Sequence, residues 1–200
     1  AMMALKSNFY KKEKINLEIK FNNSLILENV RNNALKSESG RLPKSELNPK
    51  VNFQLVYEDK KYPGDIRLKG DRKVHFEEKE KSSYKIKLDK DQYFFGINKF
   101  SLQKPRIRNY IHEWIFHQMA EDFDLIKIQY KFLDLSINGE NKGLYVLEEG
   151  FGKELIERNK RRNGPIFGLD EDIVSELSID INSNDIQLFD ICPLGRGGKV

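Results

Sequence analysis

The sequence is short of cysteine and of long hydrophobic runs, and its composition is not that of a disordered chain. One cysteine, Cys192, excludes an internal disulfide framework and a cysteine-based zinc site. No run approaches the roughly 18 apolar residues of a membrane-spanning helix, so we expect neither a membrane span nor a signal peptide in this chain. The 13 Phe and 8 Tyr are more aromatic residues than a disordered chain carries. The composition therefore predicts a globular protein.

Positive charge is concentrated in the first half of the chain. The net charge is +4, but residues 1–100 hold 22 Lys and Arg against 14 Asp and Glu, while residues 101–200 hold 13 against 17. An ordinary solvated surface is the simpler interpretation of this asymmetry, and an anionic partner such as a phosphate is the alternative. Because acidic residues interleave with the basic ones, we do not expect a nucleic-acid partner.

Period-two patterning of apolar residues predicts several strands in the first half of the chain. These strands are expected at 15–21, 53–57, 66–69, 83–89 and 100–102. A turn at Pro63-Gly64 is expected to join the second of them to the third. Between the strands, residues 25–36 are weakly helical, and loops are predicted at 37–50 and at 70–81, the latter charged and mobile.

One long amphipathic helix is predicted at 105–122. Proline suits a first helical turn, and an apolar stripe follows at helical spacing: Ile107, Ile111, Trp114, Ile115 and Met119. A hairpin is expected next, with strands at 128–137 and 144–147 joined by Asn138-Gly139, and then a short basic helix at 153–162. This order predicts an α+β fold with a mainly antiparallel sheet and shorter helices beside the long one.

Two of the predicted strands place basic residues on one face. Period two puts Arg67 and Lys69 on one side of the first strand, and Lys85 and Lys87 on one side of the second. If the two strands pair, four cations share a face, and they repel one another unless an anion or nearby acids compensate them. A nucleoside triphosphate fits that role. The alternative is a solvated outer face whose lysines discourage edge-to-edge pairing.

The predicted long helix and the hairpin add further candidate residues. Arg108 and Glu113 lie beside the apolar stripe, and a sheet lysine paired with a helix glutamate is how a kinase holds its phosphate-binding lysine. An exposed helix face is the alternative. His112 and His117 are five residues apart, which places them on different helix faces, so we expect no metal site there. Glu148-Glu149 closes the hairpin strand, which suits an adenine-contacting hinge or a strand end where acidic side chains stay solvated.

The combination of these motifs resembles a known family. The motifs are Arg67-Leu68-Lys69-Gly70-Asp71, Ser83-Tyr84-Lys85-Ile86-Lys87-Leu88, Arg108, Ile137-Asn138-Gly139 with its return strand to Glu148-Glu149, and Gly164-Pro165-Ile166-Phe167. Their order is similar to that of the spore coat protein H (CotH) kinase family, an atypical protein-kinase-like group, over roughly residues 60–172.

The resemblance implies a nucleotide-binding lobe like the N-terminal lobe of a protein kinase. It implies ATP with Mg or Mn as cofactor, and a protein or surface polymer as phosphate acceptor, in a bacterial spore coat or a related setting. The nucleotide-contacting residues would be Arg67, Lys69, Lys85, Lys87, Arg108, Glu113 and Glu149, with Glu149 at the lobe junction. No catalytic residue and no metal ligand is assigned.

The chain departs from the family pattern after Gly168. The Asp/Asn catalytic loop and the metal-binding Asp of the family have no counterpart there, since Asp170, Asp172, Asp180, Asp185 and Asp190 lie in no such context. Phosphoryl transfer needs those groups in addition to charge neutralisation at the phosphates. We therefore expect the front part of a CotH-like kinase, inactive alone. A non-catalytic binding module or an envelope-associated one is the alternative.

These expectations define a domain organisation. Residues 1–50 would form an N-terminal extension, 51–172 the nucleotide-binding lobe, and 173–200 a weakly structured tail, shortened or vector-derived. A lobe without its partner exposes apolar surface, which predicts a homodimer. The compartment is left open between bacterial cytoplasm and cell envelope.

Overall fold

The chain divides into two compact units, Ala1–Gly150 and Phe151–Val200. The structure is a computed structural model, and it describes residues 13–37, 42, 48–70, 72–78, 81–162, 164–169 and 189–192. No helix among these residues has both the length and the apolar character needed to cross a membrane.

The first unit is a closed barrel of seven strands. Its strands are β1 Glu13–Glu18, β2 Val51–Tyr57, β3 Lys60–Leu68, β4 Tyr84–Leu88, β5 Lys99–Gln103, β6 Tyr130–Ile137 and β7 Glu140–Glu149. Around the barrel they follow the order β1-β2-β3-β4-β5-β7-β6. Neighbouring strands are antiparallel except β6 and β1, whose parallel pairing closes the barrel.

The barrel interior is filled by alternate side chains of every strand. These side chains, all buried, include Leu17, Leu55, Ile66, Ile86, Leu102, Leu133, Leu135, Tyr145 and Leu147. Burial of each such side chain stabilises the fold by about 1.5–3 kcal/mol relative to an exposed one. The alternation predicted at 83–89 is confirmed, since Tyr84, Ile86 and Leu88 are buried while Lys85 and Lys87 are exposed.

The predicted α+β fold with one long amphipathic helix, like a kinase N-terminal lobe, is wrong. Within the described part of the first unit the helices are short: α1 Phe21–Lys36, two single turns of 3-10 helix at Lys73–His75 and Pro105–Arg108, and α2 His112–Asp122. The predicted helix at 105–122 is interrupted because Asn109 (φ 48°) and Tyr110 (φ 60°) adopt left-handed backbone conformations. Two such residues in succession cannot continue a right-handed helix.

The predicted Pro63-Gly64 turn is also wrong, because both residues lie inside β3. The turn between β2 and β3 is Glu58-Asp59, where both residues have positive φ, as a tight two-residue hairpin needs. The Pro63 carbonyl accepts a hydrogen bond from Asp89 N at 2.9 Å and so points away from β2. The nitrogen of Pro63 faces the same way, so proline removes no hydrogen bond between β2 and β3 and is tolerated there. Gly64 is required because a Cβ there would lie 2.4 Å from the Lys87 carbonyl oxygen.

The predicted Asn138-Gly139 hairpin is confirmed, and it also helps to close the barrel. Both residues have positive φ. The Asn138 side chain accepts a hydrogen bond from Ile19 N at 2.7 Å and donates one to Ile19 O at 2.9 Å. Gly139 N donates to Asn16 Oδ1 at 3.0 Å. The turn thus holds the end of β1 where the parallel pairing stops.

The second unit contains a short helix and a two-stranded antiparallel sheet. The helix, α3 Lys153–Arg158, confirms the predicted basic helix and ends earlier than expected. The sheet pairs β8 Ile166–Leu169 with β9 Phe189–Cys192. Except for β9, the predicted tail at 173–200 lies outside the described residues. Most of the predicted loop at 37–50 and the carboxylates of 170, 172, 180 and 185 also lie outside them.

Candidate functional site

A row of polar side chains crosses the outer surface of the barrel. Arg67 of β3 is paired with Lys85 of β4, Lys85 with Ser101 of β5, and Ser101 with Glu148 of β7. Directly paired residues point to the same side of a sheet. The residues flanking this row point inward, so the row itself lies on the outer face.

Lys69 lies next to this row and contacts it through an ion pair. Its backbone N–H extends the β3–β4 pairing by donating to Ser83 O at 2.8 Å. Its ammonium lies 3.1 Å from Gln103 Oε1 and 3.3 Å from Glu148 Oε1. The Gln103 amide also donates to the Glu148 carboxylate. Since the side chains of Lys69 and Glu148 are only 19% and 15% exposed, this is a largely buried ion pair.

The environment of Lys69 lowers its pKa from the ordinary value of 10.5. Burial is the main cause, because it disfavours the charged ammonium. Glu148 opposes this effect, while the positive charges of Arg108 and Lys85 add to it. The lowered pKa means that burial, Arg108 and Lys85 together disfavour the charged ammonium more than Glu148 stabilises it.

A second cation reaches the same carboxylate from the 3-10 turn. Arg108 Nη2 lies 3.9 Å from Glu148 Oε1, and its side chain is about half exposed. Because the turn ends in the left-handed residue Asn109, Arg108 is placed over β7 before α2 begins. Glu148 therefore receives cations from two directions.

The inner side of α2 adds a buried group of titratable residues. His117 Nε2 lies 3.3 Å from Glu113 Oε1, one helical turn away, and the His117 ring lies against Tyr130 of β6. Burial lowers the pKa of His117 below 6.5, against the opposing charges of Glu113 and Glu148. Burial, together with the same two carboxylates, raises the pKa of Tyr130 well above its usual value. His117 is neutral near pH 7 in this setting.

The structure does not bring all the predicted site residues together. Lys69 and Arg108 contact Glu148, whereas Lys85 and Arg67 lie two and three strands away from it in the same row. Glu113 contacts His117 on the inner side of α2. Lys87 lies one row away, between Asp65 and Lys99 on its neighbouring strands. The side chain of Glu149 lies on the opposite side of β7 from that of Glu148, and its carboxylate accepts a hydrogen bond from Gln129 N at 2.8 Å.

Gln103 was not predicted as a site residue, and Glu148 was considered only together with Glu149, as a hinge or a strand end. The signal was present for Glu148, because the inward residues Tyr145 and Leu147 require Glu148 to point outward and Glu149 inward. Gln103 had no comparable signal, since it is fully buried on the outer face of a short strand. His117 was considered only as a metal ligand.

The segment at 72–78, part of the loop predicted as mobile at 70–81, makes several side-chain contacts beside this site. Phe76 is fully buried, and its carbonyl accepts a hydrogen bond from Arg31 Nε at 2.7 Å. Glu77 pairs with Arg106 at 2.8 Å and Glu78 with Lys104 at 3.1 Å. Gly70 (φ 95°) starts the segment, where a Cβ would lie 2.2 Å from the His75 ring.

The described residues fit a polyphosphate better than a divalent cation. Arg67, Lys69, Lys85 and Arg108 supply donors and positive charge suited to phosphate oxygens. In this part of the chain, no three His, Cys, Asp or Glu side chains group closely enough to hold a metal ion. A cleft of about 620 Å³ lies elsewhere, along Glu18 and neighbouring residues of β1, β2 and β3.

Comparison with protein families identifies the family of this chain. The family described as CotH kinase protein matches residues 66–187, which is more than half of the chain. The chain belongs to the CotH kinase family. A search of curated proteins found no match.

The CotH match begins inside the barrel. It starts at Ile66 in β3 and includes Lys69, β4 to β7 and α2. Strands β1 and β2 precede it, although both are needed to close the barrel. The segment predicted as an N-terminal extension, 1–50, thus contains a barrel strand.

Proposed function

We propose that the chain is the nucleotide-binding part of a CotH-family kinase and that it binds the phosphates of ATP on the outer face of the barrel. One observation carries this proposal: the ammonium of Lys69 is largely buried and fixed, and the cations Arg67, Lys85 and Arg108 lie around it. Family membership supports the kinase-like character.

The positioning of Lys69 suits phosphate binding. An ammonium donates three hydrogen bonds, and Gln103 and Glu148 hold this one at 3.1 and 3.3 Å. A lysine held in this way loses little side-chain freedom when a phosphate binds. Arg67 and Lys85, paired across β3 and β4, extend the positive charge along the same face.

The phosphate acceptor would be a protein or a surface polymer, as in the kinase-like function of the family. A divalent Mg or Mn ion, when bound, neutralises charge on the transferring phosphate. The described residues do not fit such an ion, so no transfer step is derived through it. The function proposed for them is binding and orientation of the nucleotide phosphates.

Titration calorimetry with ATP tests this proposal. In the parent chain we expect measurable binding, and in Lys69→Met we expect a loss of about tenfold or more, the usual size for a charge-assisted hydrogen bond. Lys85→Ala should weaken binding less, because Lys85 is exposed and contributes charge at longer range.

Lys87→Ala is the matched control, since it removes an exposed lysine from the same strand and face one row away. Its affinity should equal that of the parent. Absence of binding in the parent chain, or equal affinity in all three variants, contradicts the proposal. Circular dichroism of each variant verifies that the barrel is folded.

A second candidate function is a binding module without catalysis. The observation that favours it is the apolar surface of α2, where Ile111, Phe116 and Met119 are all more than half exposed. A parent chain that fails to bind ATP but associates through α2 would support this function.

A further inference from the structure

The outer side of α2 and its flanking residues expose seven large apolar side chains, with the polar residues His112, Gln118 and Asp122 among them. We call this apolar group the α2 apolar face, and it consists of Tyr110, Ile111, Trp114, Ile115, Phe116, Met119 and Phe123. The exposed fractions of Ile111, Met119 and Phe123 are 53%, 53% and 70%. Isolated exposed apolar residues are ordinary, but a group of this size on one short helix is typical of an interaction site.

This orientation is fixed by the helix period. The residues of α2 that face the barrel are Glu113, His117 and Ala120. At 3.6 residues per turn, Ile111, Ile115, Gln118 and Asp122 lie on the opposite side. The apolar residues therefore cannot turn inward without moving the buried His117 outward.

The exposed area is large enough for a weak interface. Aromatic side chains present about 150–250 Å² each, so Tyr110, Trp114, Phe116 and Phe123, exposed by 60%, 37%, 57% and 70%, together expose roughly 450 Å². The aliphatic residues enlarge this area further. The largest patch on a typical monomer is about 300–600 Å², and a standard interface needs about 800 Å² from each partner. With its aliphatic residues included, the α2 apolar face is larger than most single patches on a monomer and smaller than one side of a standard interface.

The residue pattern of α2 is complementary to itself in the reverse direction. His112 and Asp122 lie near opposite ends of the helix, and both are exposed. When two copies of α2 are placed antiparallel about position 117, His112 meets Asp122 of the second copy. The same register places Ile111 against Phe123 and Ile115 against Met119. The pairs Ile111–Phe123 and Ile115–Met119 are apolar, Gln118 meets Phe116, and the antiparallel helix dipoles attract each other.

We propose that the α2 apolar face binds a second copy of this chain, in an antiparallel two-fold arrangement of α2 against α2. Such an isologous contact closes after two copies, which agrees with the self-complementary pattern. The modest area predicts a dimer with a dissociation constant on the order of micromolar. This proposal is independent of nucleotide binding, because Lys69 and Glu148 take no part in the contact.

Sedimentation velocity over a range of concentrations tests the dimer. We expect a monomer–dimer equilibrium in the parent chain and at least about tenfold weaker association in Ile115→Glu, which buries a charge at the contact. Phe21→Glu is the matched control, because Phe21 is an exposed apolar residue of α1 (79% exposed) and should leave the equilibrium unchanged. A chain that stays monomeric up to about 500 μM, well above the expected constant, overturns the proposal.

Charge reversal tests the antiparallel register. Asp122→Arg should weaken the dimer, and the double variant His112→Asp with Asp122→Arg should restore it, since the pair is reversed in both copies. No restoration would contradict the register. A cysteine at the centre provides an independent test: Gln118→Cys in a Cys192→Ser background should form an intermolecular disulfide, whereas Asn22→Cys in the same background should not.

The fluorescence of Trp114 separates the second copy from other occupants. Trp114 is the sole tryptophan of the sequence, so its emission reports on this face alone. We expect a blue shift that grows with protein concentration and is lost in Ile115→Glu. A blue-shifted emission at every concentration, in a monomer, would mean that another part of the chain covers the face and would overturn the proposal.

Discussion

The barrel wall and helix α2 place their apolar residues in opposite ways. In the wall, alternate side chains such as Leu17, Leu55 and Leu133 turn inward and are fully buried. On α2 the apolar residues face outward, and the side toward the barrel carries Glu113 and His117. Periodicity determines which residues share a face. Whether that face is buried depends on the neighbours that the rest of the fold supplies.

The difference has a physical origin. A closed barrel encloses the inner face of every strand, so that face has no access to solvent. Helix α2 contacts the barrel mainly along β6, and the outer face of β6 and β7 in that region is already polar, with Tyr130 and Glu148. A polar helix face therefore matches it better than an apolar one.

Among the substitutions that test this comparison, removal of a side chain from the barrel wall should lower the stability most. Leu17→Ala leaves a cavity in a fully buried position, and we expect it to lower the free energy of unfolding by about 3–4 kcal/mol. Met119→Ala, on the exposed side of α2, should lower it by less than about 1 kcal/mol. Urea denaturation at dilute protein concentration measures both. Equal losses would show that α2 is packed as tightly as the wall.

Removal of the Asn138 side chain should have a smaller effect, because it acts only where the wall closes. Asn138→Ala leaves Ile19 N–H and C=O without their hydrogen bonds and places alanine at positive φ, so we expect a loss of about 2 kcal/mol. Asn138→Asp keeps the acceptor and should lose less. Asn141→Ala, whose side chain bonds only Gly143 N nearby, serves as the control. If Asn138→Ala unfolds like the parent, the turn does not fasten β1.

The smallest effect on stability is expected from a change of pH, which acts through His117 on the inner side of α2. Burial lowers the pKa of folded His117 below its unfolded value of 6.5. As pH falls below 6.5 the unfolded chain binds the proton more readily, so stability falls until the lowered folded pKa is reached and then levels off. Glu113, Glu148 and Lys127 are the charged groups that act on this ring.

His117→Gln should remove that part of the pH dependence, measured as the midpoint of thermal unfolding between pH 5 and 7, the range about the ordinary histidine value. His112→Gln, at the exposed start of the same helix, should retain it. An unchanged slope in His117→Gln would assign the pH dependence to other groups.

Local patterns predicted most strands, because a strand's inward residues repeat with period two. The same patterns could not predict the barrel. Its closure depends on the parallel pairing of β1 with β6, and the Asn138–Ile19 hydrogen bonds that support it join residues 119 positions apart. The Pro63-Gly64 turn was mispredicted since composition marks turns, whereas Gly64 is needed for the close approach of Lys87 O.

The candidate site was predicted in part for a related reason. The period-two alternation of strand residues was enough to predict that Arg67, Lys69 and Lys85 share the outer face. Glu148 also follows from parity, once Tyr145 and Leu147 are known to point inward. The contact of His117 with Glu113 required knowing which side of α2 faces the barrel, and the apolar stripe indicated the opposite side.

The closing pair β1–β6 has a consequence for where the folding unit of this chain begins. A fragment that starts at Ile66, where the family match begins, would lack β1 and β2. The remaining sheet would then have two free edges, with unpaired N–H and C=O groups along β3 and β6. Unprotected edges of that kind recruit other chains and aggregate. The boundary visible to sequence comparison therefore lies inside the folding unit.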